Sequence, residues 1–157
     1  MYIDFKNVSS NNDVTNYTRD LDLKTAIAGV NYDKGSTHYS RENFTSYPDN
    51  VIVTHITADG SEKISLDVSV EPDNSRGSAI NGIGGRISIN GQLTDNQMKF
   101  SSQTQVITDN AGTVTDRDGK VSVSGASEVT IITSMGTDYK DEYPSYRTGE
   151  TASELTN

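Results

Sequence analysis

Apolar residues at Ile64, Leu66, Val68 and Val70 alternate with Ser65, Asp67 and Ser69. That period of two predicts a strand with one dry and one wet face. The run just before it, Val51-Ile52-Val53-Thr54-His55-Ile56-Thr57-Ala58, is β-branched and apolar on both faces, which predicts a strand covered on two sides, entered through the turn chemistry of Tyr47-Pro48-Asp49-Asn50. The link Asp59-Gly60-Ser61-Glu62-Lys63 is short enough to join the two as an antiparallel hairpin.

The remaining chain reads the same way. A short strand is expected over Tyr2-Ile3-Asp4-Phe5, then a polar loop through Ser9-Ser10-Asn11-Asn12-Asp13. Residues 17–23 and 26–32 are strand candidates, although Leu, Lys and Ala at 21–28 could instead form one or two helical turns. Asp33-Lys34-Gly35-Ser36 predicts a turn into a strand at 38–45. Between Pro72 and Gly85 the pattern loses every period, predicting a surface excursion. Alternation returns at 86–90, Asn90-Gly91 is a hairpin signal, and 98–107 forms a long strand with Met98, Phe100 and Val106 on one face. Short strands at 113–115 and 121–124 flank Asp116-Arg117-Asp118-Gly119, whose Asp-Gly pair predicts a tight turn. The last strand is 129–135, and 151–155 could begin a helix. Evenly punctuated strands without a 3.6-residue period predict an all-β, antiparallel sandwich. The sandwich is expected over 1–136, with 137–157 a Tyr-rich, charged extension.

Length and composition narrow the picture. A chain of 157 residues fits one domain with one core, burying roughly 70% of its unfolded surface. Only 32% of residues are apolar, with 13 Gly and no Trp, so modest stability and long polar loops are expected. The net charge of −9 repels polyanions, which argues against nucleic acid as a partner. No cysteine is present, excluding disulfides and thiolate chemistry. Nothing resembles a signal peptide and no apolar run is long enough to insert in a membrane. Met1 directly before a strand-like Tyr2 suggests a piece of something longer. No internal repeat supports a repetitive stalk.

Candidate chemistry is sparse. Carboxylates at Asp20, Asp22, Glu42, Asp67, Asp116 and Glu128 fall in turns or on wet strand faces, where a solvated role is the norm. His38 and His55 have no second ligand at metal spacing. Asp116-Arg117-Asp118-Gly119 resembles a calcium loop but lacks the bidentate Glu, so the hairpin reading is preferred. Gly82-Ile83-Gly84-Gly85 lacks the strand and helix of a phosphate cradle. Asn7, Asn16 and Asn43 begin glycosylation triplets that arise readily by chance. Tyr139, Tyr143 and Tyr146, with Arg147, cluster near the C-terminal end. Tyrosines are enriched at protein interfaces, so interdomain contact is preferred over sugar stacking for this group. No catalytic residue, metal or cofactor is expected.

The run Tyr17-Thr18-Arg19-Asp20-Leu21-Asp22-Leu23-Lys24-Thr25-Ala26-Ile27-Ala28, then His38-Tyr39-Ser40-Arg41-Glu42-Asn43-Phe44, then Ser46-Tyr47-Pro48-Asp49-Asn50-Val51-Ile52-Val53, resembles the N-terminal β-domain of glycoside hydrolase family 95, the α-L-fucosidases. Tyr2-Ile3-Asp4-Phe5 and Tyr143-Pro144-Ser145-Tyr146-Arg147-Thr148-Gly149-Glu150 resemble it in the same order, while 73–99 matches poorly. The resemblance implies part of a large super-sandwich that packs, through a helical linker, on an (α/α)6 barrel bearing the catalytic residues. It implies a bacterial, secreted or surface-bound parent that removes fucose from glycans with inversion. On this reading the chain lacks its first strands and the barrel, its partner is the remainder of the same polypeptide, and fucosylated glycans are met only through the parent. This chain alone is expected to be inactive. A stand-alone carbohydrate-binding or adhesin module is the alternative.

Overall fold

The computed structural model describes residues 1–6, 14–71 and 79–156. Twelve strands run through them: β1 (Tyr2–Phe5), β2 (Val14–Asp22), β3 (Ile27–Lys34), β4 (Thr37–Ser46), β5 (Val51–Asp59), β6 (Ile64–Ser69), β7 (Ala79–Ile83), β8 (Arg86–Gln92), β9 (Lys99–Thr108), β10 (Thr113–Arg117), β11 (Lys120–Ala126) and β12 (Glu128–Thr137). They form a four-stranded sheet, β1-β6-β11-β10, and an eight-stranded sheet, β2-β3-β4-β5-β12-β9-β8-β7. Every pairing is antiparallel, and no helix occurs among the described residues. The protein is the all-β antiparallel sandwich that the alternation predicts. The predicted loop at 9–13, and residues 72–78 of the excursion predicted between Pro72 and Gly85, lie outside the described residues.

The core lies between the sheets. Ile64, Leu66 and Val68 of β6, with Val121, Val123 and Ala126 of β11, meet Ile56 and Ala58 of β5, Ile87 of β8, Val106 of β9, and Val129 and Ile131 of β12. Leu66, Val68, Val121, Ala126 and Val129 are completely buried, and Leu66 and each valine contribute about 1.5–3 kcal/mol through removal of the side chain from water.

The hairpin expected between β5 and β6 does not form. β5 pairs with β4 and β12, whereas β6 pairs with β1 and β11 in the other sheet. The short link crosses between layers instead. Gly60 makes the crossing at φ 148°, packed so closely on Thr37 that a Cβ would stand 2.7 Å from the Thr37 Cα. The Glu62 N–H then donates to Thr37 Oγ1 at 3.0 Å. Facing apolar rows can be satisfied by stacking as well as by pairing, and alternation alone does not separate the two. β5 is also less covered than its composition suggests: Thr54, Ile56 and Ala58 are buried, while Val51, Val53, His55 and Thr57 are half-buried on the outer face.

Other turns are sharper than predicted. Asp22 Oδ1 accepts the Lys24 N–H at 2.8 Å and Ala26 adopts φ 57°, reversing the chain where a helix was the alternative. The stretch predicted as an aperiodic excursion contains β7, whose hairpin with β8 turns on Gly84 and Gly85 at φ 63° and 72°. Asn90-Gly91 is not a turn but lies within β8. Gly91 is required there because the Phe100 ring packs against it, leaving only 2.2 Å between its Cζ and any Cβ. The reversal comes later, with Leu93 N–H to Met98 O at 2.8 Å and Gln97 at φ 61°.

Asp67 departs from the wet-face expectation in a way that matters for stability. It is on the outer face of β6, yet 6% exposed, because Lys6 and Lys120 close over it and Ser122 Oγ donates to it at 2.7 Å. Burial pushes its pKa up, but the hydrogen bonds from Lys120, Lys6 and Ser122 together outweigh burial and hold it down at about 2, against 3.8 ordinarily. A folded pKa below the unfolded one means that the stabilisation is fully present above the unfolded pKa and disappears as pH falls through about 2. It amounts to about 2 kcal/mol. Asp67→Asn is expected to lower the urea unfolding free energy at neutral pH by about that amount, with the deficit shrinking as pH falls from 4 toward 2.

Candidate interdomain surface

The C-terminal extension is an ordered loop built on one buried carboxylate. Directly after β12, Asp138 is 3% exposed. Its Oδ1 accepts the Lys99 N–H at 2.9 Å, and the Arg147 Nε stands 3.6 Å away. Main-chain bonds run from Asp138 N–H to Lys99 O, 3.1 Å, and from Thr148 N–H to Asp138 O, 2.8 Å. A bridge pairs Tyr139 with Arg147, and the Tyr146 N–H closes the loop on Glu142 O at 2.9 Å. Tyr143, joined to Pro144 by a cis peptide bond, meets Tyr146 edge-on at 6.4 Å.

This loop separates the four sequence candidates into two roles. Tyr139, Tyr143 and Tyr146 are 53%, 86% and 42% exposed and present their rings outward. Arg147 is turned inward: besides Asp138 it donates from Nη2 to Asn96 O at 2.9 Å and from Nη1 to Tyr146 O at 2.8 Å. It holds the tyrosines in place. Beyond it the chain lies on the outer face of the larger sheet, where Gly136 leaves room for the Leu155 carbonyl and Ser101 Oγ stands 3.2 Å from Thr156 Oγ1. Thr151 donates its N–H to Glu154 Oε2 at 2.7 Å, half of a capping box. Turns, not a helix, follow over the described residues to 156.

A second uncovered area lies on the inward face of the larger sheet. Ile52 and Met135 continue the rows of Ile56 and Ile131 but are 38% and 52% exposed, and with Tyr47, 97% exposed, they line a cleft of about 230 Å³.

The acids and histidines named from sequence are dispersed. Asp20 is exposed on the edge strand β2, and Asp22 holds the turn after it. The Asp22 carboxyl sits below its usual range because it accepts the Lys24 N–H and bonds with Thr25. Asp116 accepts the Gly84 and Gly85 amides at 2.8 and 2.7 Å, so the glycine pair's donors are engaged by a side chain and the aspartate serves the hairpin. Glu42 lies opposite His55 on β5, and His55 Nε2 is 2.9 Å from Glu128 Oε1. His38 Nδ1 lies 2.6 Å from Asp33 Oδ1, whose other oxygen accepts from Asn16 Nδ2 at 2.6 Å. Among the described residues no three such groups are arranged to hold a metal. The side-chain amides of Asn16 and Asn43 are both hydrogen-bonded internally, and Asn7 lies outside the described residues.

The molecule is thus a β-sandwich with three exposed tyrosines gathered on one C-terminal loop. Residues 1–142 match the family described as glycosyl hydrolase family 65, N-terminal domain, and the chain belongs to that family. Among relatives, "Alpha-L-fucosidase 2" of Arabidopsis thaliana is 44% identical over 57 residues, 36% of this chain and 7% of that protein. "Probable alpha-fucosidase A" of Aspergillus niger is 41% identical over 49 residues, 31% of this chain and 6% of that protein. A solved structure described as a kojibiose phosphorylase from the human microbiome superimposes with a TM-score of 0.59 at 10% identity, over 90% of this chain and 21% of that one. The last likeness shows the fold alone. The matches span a small fraction of each relative's length.

Asp138→Ala should free the loop, costing about 1–3 kcal/mol for the orphaned Lys99 N–H and Arg147 and exposing 139–148 to limited proteolysis. Tyr143→Ala should stay within about 0.5 kcal/mol of the parent in the same melt.

Proposed function

We propose that this chain is the non-catalytic β-sandwich of an α-L-fucosidase of glycoside hydrolase family 95, secreted or surface-bound in a bacterium, and that it supports a separate catalytic (α/α)6 barrel. The observation that carries the reading is the family match over 1–142 together with α-fucosidase relatives at 44% and 41% identity. The site chemistry supports it. Glycoside hydrolysis needs two converging groups at a scissile bond, whereas Asp22, Asp116 and Glu128 are engaged in a turn, a hairpin and a surface pair and Asp20 lies exposed on the edge strand β2. The outward rings of Tyr139, Tyr143 and Tyr146 would pack on the remainder of the polypeptide, as aromatic residues do at interfaces.

A stand-alone carbohydrate-binding module is the second reading, favoured by the exposed ring faces of Tyr143 and Tyr146. It predicts saturable binding of neutral glycans at that loop by the isolated chain.

The test is an assay with a fucosylated oligosaccharide. The 157-residue chain should release no fucose, and a longer polypeptide carrying it should release fucose with inverted configuration. Fucose release by the short chain would overturn the scaffold role. Release of a different sugar by the long one would overturn the fucosidase assignment.

A further inference from the structure

The two sheets are closed on one side and open on the other. At the closed margin β10 is stitched to the β7-β8 hairpin: Asp116 accepts the Gly84 and Gly85 amides at 2.8 and 2.7 Å, and Gly82 meets Gly119 so closely that a Cβ on it would stand 3.5 Å from the Gly119 Cα. At the open margin β1 ends the smaller sheet, and among the described residues no strand pairs with its free edge. Phe5 shares a cavity with Val30 and Tyr32 of β3 and Tyr39 of β4, so β1 stands over those strands and β2 projects beyond it. β2 is exposed on both faces along nearly its whole length, with Tyr17 and Leu21 58% and 60% exposed on the inward side.

The free edge has a definite phase. The Lys6 N–H donates to Ser65 O at 2.8 Å, so Tyr2 and Asp4, in step with Lys6, turn their main-chain groups toward β6, whereas Ile3 and Phe5 aim N–H and C=O out of the sheet. The side chains of Ile3 and Phe5 pack inward on the core. In an antiparallel neighbour the residues opposite these two would also point inward, and the residue between them would stand in solvent beside Asp4. The cavity beside Phe5, about 190 Å³, is walled by Tyr17, Tyr32 and Tyr39, the last two stacked with centroids 5.0 Å apart.

Unpaired main-chain groups beside a pocket for alternate side chains are the geometry of strand addition. A second copy does not fit. Paired strands lie about 4.8 Å apart, and two copies joined β1 to β1 would drive their projecting β2 margins into each other. The core is complete without an occupant, since Val30, Ile56, Leu66 and Val68 are already buried, and this favours a separable partner over a fixed member of the sheet. The net charge of −9, with Asp4 at the solvent position, favours basic residues between the apolar ones.

We propose that the free edge of β1 takes up one extended segment of a separate protein, alternately apolar and basic, which adds antiparallel as a fifth strand of the smaller sheet and places an apolar side chain in the aromatic cavity. The site is distinct from the Tyr139–Arg147 loop and does not depend on which sugar the parent releases.

Amide NMR of the 157-residue chain titrated with the peptide acetyl-Lys-Val-Lys-Val-Lys-Val-Lys-amide tests it. Saturable shifts are expected at 3, 5, 17 and 32, with a dissociation constant of about 0.1–1 mM. N-methylation of the valines, whose N–H groups face β1, should abolish binding, while N-methylation of the lysines, whose N–H groups face away, should not. A peptide with Glu in place of Lys should bind at least about tenfold more weakly. Tyr17→Ala, on an exposed edge strand, should weaken binding several-fold at unchanged melting temperature. A longer polypeptide containing the chain should bind the peptide as the short chain does. The proposal is overturned by any of four results: no saturable shift, equal binding of the valine-methylated or the Glu peptide, shifts centred on 139–146 instead of β1, or loss of binding in the longer polypeptide, which would assign the edge to a strand of the parent itself.

Discussion

Four strands cannot cover eight, and that mismatch governs the rest of the molecule. The β1-β6-β11-β10 layer buries the inward rows of β5, β9 and β12 from Ala58 to Ile56, at Val106, and from Val129 to Ile131. Along the same rows Ile52 and Met135 are left partly in water. At the other margin the aromatic cavity around Arg41 opens beside the edge strand β1. On the far face the larger sheet is partly covered by its own C-terminal extension, with Leu155 over Gly136 and Thr156 over Ser101. The domain has a firm centre and margins finished by other means.

The smaller layer has its own constraint. Its middle strand β6 must present an apolar face inward, yet its outer face carries an aspartate almost as buried as the core. The Lys6–Asp67–Lys120 cluster joins β1, β6 and β11 across that face. Partnered this way, the carboxylate becomes a tie between neighbouring strands instead of a penalty.

Local pattern was legible because alternation and turn chemistry are local. β6, β4, β9 and β12 follow from period-two runs, and Asp118-Gly119 turns where its residue types require, both at positive φ. What the pattern missed is non-local. Whether β5 and β6 pair or stack depends on the crossing at Gly60 against Thr37, 23 positions earlier. Asn90-Gly91 carries a turn signal, but Gly91 is there to accept the Phe100 ring. β7 was hidden because Gly82 and Asn81 suppress alternation in a strand with a single neighbour. Of the candidate site, the tyrosine cluster could be read from sequence. The inward turn of Arg147 could not, since it depends on partners brought in by the fold.

If the chain is the supporting domain proposed above, its incompletely covered inner layer and outward aromatic loop would dock on the rest of a longer polypeptide. Amide hydrogen exchange compared between the 157-residue chain and a longer polypeptide containing it measures this directly. Protection should rise at 51–53, 133–135 and 139–146 in the longer chain and stay unchanged across β6 and β11. Unchanged exchange at all three segments, with new protection appearing only elsewhere, would contradict the docking role assigned to these surfaces.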